Sequence, residues 1–467
     1  MTAGAIDSEI YGSLFATAAM REVFGDRARL QRMLDVEAAL ARAQAKLGLI
    51  PAAAAAEITA NAEVGRFDLD AIRAGTELAG YPIIPLVKAL GKACAGDAGR
   101  YVHWGATTQD IVDTGLVLQV RDGLELIEAD LAGIEAALAG LARRHRDTPM
   151  AGRTHLQHAL PITFGFKCAT WLAPLQRQHA RLAGLREEVR VVQFGGAVGT
   201  LASLGQDGIK VVDGLAAELG LRAPRIAWHV GRDRLAEVAG FLGVLTGALG
   251  KIATDLVLLI QTEVDEVREP YLPGRGGSST MPQKRNPIAC EFVLAAARNV
   301  RQLVPVMLDA MLADHERATG PWHAEWIALP QAFVLTAGAL HHTRAILEGL
   351  EVDPAHMRRN LDLTRGMIAA EAVMMALAPA VGREAAHHLV ADACRQAAER
   401  DLDLCEVLAG NADVTSLLAP ERLRQLLDPE NYTGFAGAFV DRVLADRSIE
   451  EGACPRSRPT ASPSTTS

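Results

Sequence analysis

The chain is poor in aromatic residues, which fill 4% of its 467 positions, and it holds six cysteines, at 94, 168, 290, 394, 405 and 454. None of these cysteines stands in a CxxC pair or a regular framework, which excludes a disulfide scaffold and the common structural zinc spacings. A surplus of positive charge is also missing. The 47 Lys and Arg against 56 Asp and Glu leave a net charge of −9, the wrong sign for gripping a phosphate backbone, so no nucleic-acid partner is expected. The short basic run Arg143, Arg144, His145, Arg146 suits the C-terminal end of a helix, where cations complement the dipole. Long hydrophobic runs are scarce too. The most apolar one, residues 238–250, is interrupted at Lys251, short of the roughly 20 residues a bilayer span requires, and predicts a buried helix and no membrane partner. With scattered thiols and no charged-then-apolar leader, a reduced cytoplasm is the expected location.

What is present is alanine, leucine and helical periodicity. Period-two runs of Val, Ile and Thr are few, so the fold class is all-α. Leu124, Ile127, Leu131, Ile134, Leu138 and Leu141 alternate steps of three and four. Leu235, Val238, Leu242, Leu245, Leu249, Ile252, Leu256 and Leu259 do so for longer, and both series predict long helices with coiled-coil-like seams. The second helix also carries Gly240, Gly243, Gly247 and Gly250. Each glycine weakens a helix by about 1 kcal/mol relative to alanine, so the four together suggest close backbone approach as compensation. A helix apolar on every face has to be enclosed, here by neighbouring subunits as well as by its own chain. Composition shifts divide the chain into an N-terminal helical domain (1–103), a central long-helix bundle (104–350), a C-terminal helical domain (351–450) and a Pro/Ser/Thr-rich disordered tail (451–467).

Three segments carry candidate chemistry. The stretch GRGGSSTMPQKRNP, residues 274–287, joins glycines and paired serines, whose backbone N–H groups can point inward, to a cation at Lys284 and an amide at Asn286. By composition alone it is equally an ordinary flexible loop. HWGATTQD, residues 103–110, offers short hydroxyl and amide donors at Thr107, Thr108 and Gln109, either as ligand contacts or as an N-cap for the helix that follows. GRTHLQHALP, residues 152–161, holds His155 and, three residues on, His158, a spacing that would suit metal ligation on a helix. No HExxH or Cys/His cluster accompanies it, so no metal is expected.

Together, and in this order, the three segments resemble the active-site regions of the aspartase/fumarase superfamily, which includes fumarases, aspartases, argininosuccinate and adenylosuccinate lyases and the 3-carboxy-cis,cis-muconate cycloisomerases. The resemblance covers residues 10–445. It implies a central helical bundle shared by a homotetramer, active sites assembled from three chains, no cofactor, and a small dicarboxylate substrate. It assigns Ser278 as the base and Lys284 and Asn286 to the carboxylate that accumulates charge. It places Thr107, Thr108, Gln109 and His103 at the substrate, and His155, held by Glu291, as the general acid.

The segments LFATAAMREVFGDRARLQRMLDVEAALARAQ, HERATGPWHAEWIALP and MRRNLDLTRG resemble the cycloisomerase branch. The early Arg-Tyr-Ser and the Ser/Arg-rich phosphate segment of adenylosuccinate lyases are absent, and Trp322, His323, Glu325 and Trp326 occupy the second region. Many bacterial cycloisomerases place Trp, Leu or Arg where this chain has His155. A retained histidine suits acid-assisted departure of a leaving group. The expected function is therefore elimination from a small 2-substituted succinate to give fumarate, with a nitrogen-bearing leaving group such as nitrous acid from nitrosuccinate. The alternatives are 3-carboxy-cis,cis-muconate cycloisomerase and a non-catalytic helical scaffold.

Overall fold

The computed structural model describes residues 4–278 and 280–445; the tail expected to be disordered, residues 451–467, lies outside the described residues. The all-α expectation holds. The elements that position the site are, in chain order, α1 (Asp26–Lys46), α2 (Thr108–Arg144), a hairpin of β1 (Pro149–Thr154) and β2 (Gln157–Thr163), α3 (Phe164–Val189), α4 (Asp233–Ile260), β3 (Val267–Arg268), α5 (Ile288–Asp309), α6 (Pro321–Glu348) and β4 (Glu351–Val352). The two small sheets, β1 with β2 and β3 with β4, are both antiparallel.

Both seams are buried along their whole length. Leu124, Ile127, Leu131, Ile134 and Leu138 are fully buried and Leu141 nearly so, as are all eight positions from Leu235 to Leu259. At 1.5 Å per residue, the 37 residues of α2 make a rod about 55 Å long. Truncating any one of these leucines to alanine is worth about 2–5 kcal/mol by loss of contact and by the cavity left.

Compact packing divides the chain into two units made of non-consecutive segments. The first comprises Met1–Ile134, Arg181–Val257 and Glu269–Gly349, and the second Glu135–Ala180, Leu258–Arg268 and Leu350–Ser467. In the first unit, two of the four glycines of α4 explain themselves. A Cβ on Gly243 would meet Val304 at 2.8 Å and one on Gly250 would meet Ala297 at 3.2 Å, so α5 packs against α4 at these positions. Gly240 and Gly247 instead face open space, beside Val244, which is 53% exposed. By length and composition α4 passes as a membrane span, at 28 residues and mean hydropathy 1.7, but its seam is packed within the protein. The second unit has its own core, from Val373, Leu377, Ala386 and Val390 to Leu404, Leu408 and Leu423. There the basic run ends in an ion pair, with Arg146 forking onto Asp441 at 2.8 and 2.6 Å. All five cysteines among the described residues are free.

The adjacent histidines of the two His-His pairs, 341–342 and 387–388, differ in burial. His387 and His388 are exposed, but His342 is buried, with Nε2 2.8 Å from the carbonyl of Leu14.

Candidate active site

The loop at residues 274–287 is folded rather than loose. Gly277 and Arg285 form an antiparallel bridge, and the Asn286 N–H donates to the carbonyl of Gly276 at 2.9 Å. Gly276 has φ +69, and a Cβ there would lie 2.6 Å from the Asn286 carbonyl oxygen, so only glycine lets the two arms close. Ser278, half-buried on the outgoing arm, accepts backbone N–H groups at its Oγ from Met281 (3.0 Å) and Thr280 (3.3 Å).

The adjacent cations on the return arm have different tasks. Arg285 lies over the ring of Tyr271, 5.4 Å from its centroid, and donates to the carbonyl of Glu269 at 2.7 Å, whereas Lys284 is exposed. The carboxylate of Glu269 takes the N–H groups of Ala289 (3.3 Å) and Cys290 (2.8 Å), satisfying orphan donors at the start of α5. Glu291 is exposed in the first turn of that helix.

Around residues 103–110 the capping side chain is that of Asp110. Asp110 reaches back to the N–H of Thr107 at 3.0 Å, the reciprocal half of a capping box. The hydroxyls of Thr107 and Thr108 have no hydrogen-bond partner among the described residues, which leaves both available to a ligand. Gln109, in contrast, is fully engaged. Its Nε2 donates to Asp113 (3.0 Å) and to the carbonyl of His229 (2.9 Å), and its Oε1 accepts from Arg317 at 2.6 Å. His103 has a left-handed backbone, φ 63, and both its N–H and its Nδ1 meet Glu37, at 3.0 and 2.5 Å.

Sequence reasoning did not find what organises this face. Asp110, 1% exposed, also takes the N–H groups of Gly195 (2.9 Å) and Gly196 (2.9 Å) and Nε2 of Gln193 (3.1 Å). Burial raises its carboxyl to about 6 even though all four hydrogen bonds favour the anion. The glycines of GGAVGT, residues 195–200, are the signal that was available: Gly199 sits at φ +90, where a Cβ would lie 2.7 Å from the His229 ring. Behind this face Arg232 is shared by two buried carboxylates. It forks onto Asp113 at 2.6 and 3.1 Å and onto Glu325 at 2.8 Å through Nε, with a second, shorter contact through Nη2. Trp322 Nε1 donates to Asp113 at 2.9 Å. Burial raises the Glu325 carboxyl against the pull of Arg232.

In the second unit, residues 149–163 form a β-hairpin, so His155 and His158 share no helix face. His155 and Leu156 form its two-residue tip, with φ 52 and 65, both exposed. His158 lies on β2 opposite Arg153, and burial together with the charge of Arg153 keeps its imidazole below the usual range. Arg153 clasps the wholly buried Glu266 with two hydrogen bonds, at 3.0 and 2.7 Å, and Asn360 donates to the same carboxylate at 2.8 Å.

Comparison with known proteins identifies the family. A family model described as Lyase matches residues 14–302, and one described as Adenylosuccinate lyase C-terminus matches residues 366–443. The chain is 52% identical over 442 residues to the 3-carboxy-cis,cis-muconate cycloisomerase of Pseudomonas aeruginosa, covering 94% of this chain and 96% of the relative. It is 40% identical over 440 residues to the N-acetyl-S-(2-succino)cysteine lyase of Enterococcus italicus, again covering 94% and 96%. The crystal structure of the 3-carboxy-cis,cis-muconate lactonizing enzyme from Pseudomonas putida superposes with a TM-score of 0.89 at 48% identity, covering 94% of this chain and 98% of that one. The chain belongs to the aspartase/fumarase superfamily of lyases.

Proposed function

We propose that the protein catalyses elimination from a small 2-substituted succinate to give fumarate, without a cofactor. The observation that carries this reading is the seat of Ser278. A hydroxyl is a poor base, but an oxygen that already accepts two backbone N–H groups, on a loop carrying Lys284, has its alkoxide favoured by both hydrogen bonding and charge. Ser278 then takes the proton from the carbon beside a carboxylate, and the electron pair moves onto that carboxylate. Lys284 and Asn286 bind it more strongly as its charge grows, which stabilises the transition state selectively. The hydroxyls of Thr107 and Thr108, with His103, hold the second carboxylate, and Gln109 acts by fixing Arg317 and the start of α2. His155, steadied by Glu291, protonates the departing group. Its place at an exposed hairpin tip suits delivery into a site completed by another subunit of a homotetramer.

For the leaving group, the relatives include one named for a succinylated thiol, and neither of the two curated relatives described above is named for nitrosuccinate. Nitrosuccinate is the nitrogen-bearing candidate, and S-succinyl thioethers are the sulfur-bearing one. The second reading, lactonisation of 3-carboxy-cis,cis-muconate, is favoured by the 52% identity to a cycloisomerase. Ultraviolet detection of fumarate from each succinate, run beside an assay of lactone formation, separates them. Efficient lactonisation with no fumarate from any tested succinate rejects the first reading. Ser278→Ala is expected to lower turnover at least about a thousandfold with the helical fold retained; near-normal turnover removes Ser278 as the base.

A further inference from the structure

Glu37 lies in the middle of α1, 2% exposed, and is absent from the roles assigned so far. A buried carboxylate has to be compensated, and among the described residues the hydrogen bonds that do so come from one residue of the active-site face. One oxygen takes the backbone N–H of His103 at 3.0 Å, and the other meets its Nδ1 at 2.5 Å. Two turns along the same helix, Gln44 donates to the carbonyl of Trp104 at 2.7 Å. These contacts from α1 grip consecutive residues and hold His103 at φ 63, a conformation that costs a non-glycine residue free energy and persists only where its surroundings enforce it.

The consequence is a defined ring. With Nδ1 bonded to Glu37, Nε2 is the nitrogen left over; it has no partner among the described residues, and the side chain is 22% exposed. The charged groups facing the imidazole are Glu37 from α1 and Asp110 from the first turn of α2, both acidic. Burial works against protonation, but the hydrogen bond and charge of Glu37, helped by Asp110, hold the imidazole above its ordinary value.

We propose that Glu37 is a positioning residue of the active site: it holds His103 as an imidazolium with Nε2–H offered to a substrate carboxylate beside Thr107 and Thr108. The inference rests on the reading that this face binds a dicarboxylate, and it gives that carboxylate a cationic partner which the threonines do not supply. Because the folded imidazole sits above its unfolded value, its charge persists to higher pH than that of a free imidazole. That charge is lost as pH rises through the folded value. Glu37→Gln moves this loss to lower pH.

The test uses succinate, which binds without turning over, measured by calorimetry on the assembled enzyme from pH 6 to 9. In Glu37→Gln, weakening with rising pH is expected to begin at least about one pH unit lower than in wild type, so the variant's deficit is largest, up to roughly tenfold, between the two transitions and narrows on the acid side. His103→Asn, whose asparagine tolerates the left-handed backbone, should bind weakly at every pH, and adding Glu37→Gln to it should change nothing further. Weakening by Glu37→Gln that is equal at all pH values, or that persists in the His103→Asn background, reduces Glu37 to a structural tie and overturns the proposal. Wild-type binding by His103→Asn, or no succinate binding by wild type, also overturns it. Since succinate binding does not depend on which compound is turned over, a failed fumarate assay with this pH split intact rejects the proposed reaction and leaves the subsite standing.

Discussion

Asp110 accepts four hydrogen bonds and still holds its proton to about pH 6, because removing a carboxylate from water outweighs what the four donors return. The sign follows from linkage. The folded value lies above the unfolded one of 3.8, so the folded state binds this proton more tightly, and the group's contribution to stability is most favourable at low pH and falls as pH rises through 6. A shift of this size corresponds to about 3 kcal/mol. Asparagine has no such titration but aims an NH2 group at some of the same donors. Asp110→Asn is therefore expected to cost more stability at pH 4.5 than at pH 7, by about 2 kcal/mol, in paired urea titrations. A pH-independent difference would place Asp110 in the ordinary carboxylate range. None of this is legible locally, because Asp110 alone reads as a first-turn acid, and its partners Gln193, Gly195 and Gly196 lie more than 80 residues away.

At the scale of elements, legibility depended on whether a signal is local. The leucine seams of α2 and α4 repeat every few residues and were read correctly to the last position. The hairpin of β1 and β2 was not, because a two-residue turn of this hand usually announces itself with Asn-Gly or Asp-Gly, and here His155 and Leu156 hold both left-handed positions. Something other than the turn has to keep the strands together, and the clasp of Arg153 on Glu266, reinforced by Asn360, stands at its base. Arg153→Ala leaves Glu266 buried without its cation, a loss of about 3–5 kcal/mol, and Arg153→Lys keeps the charge but gives up the fork. Thermal unfolding should report a large fall for the alanine variant. The lysine variant should fold but turn over at least about tenfold more slowly, as the tip carrying His155 loosens. Unchanged turnover in a folded Arg153→Lys would mean that the clasp serves only stability. The Asp113, Arg232 and Glu325 network was equally illegible: its members are 119 and 93 residues apart, and each taken singly looks like a surface charge.

At the scale of the molecule, the outward stripe of α4 and the exposed tip of the hairpin lead to one expectation. Gly240, Val244 and Gly247 form an apolar, small-residue strip on a helix whose opposite faces are already packed, and a monomer would leave it in water. Light scattering should give four times the mass of one chain; an active monomer would contradict the shared-site proposal. The sharper test concerns which chains meet at a site. Ser278→Ala and His155→Ala are each expected to be inactive as pure assemblies. If Ser278 and His155 of one site come from different chains, mixing the two variants one to one makes a site intact whenever its Ser278 comes from a His155→Ala chain and its His155 from a Ser278→Ala chain. With random exchange each condition is met half the time, so about a quarter of wild-type activity should return. If both residues come from the same chain, no mixed assembly contains an intact site, and activity stays at the level of the parents. Subunit exchange verified by mass spectrometry with no recovery would therefore assign both residues to one chain and remove the need for His155 to be delivered by a neighbour.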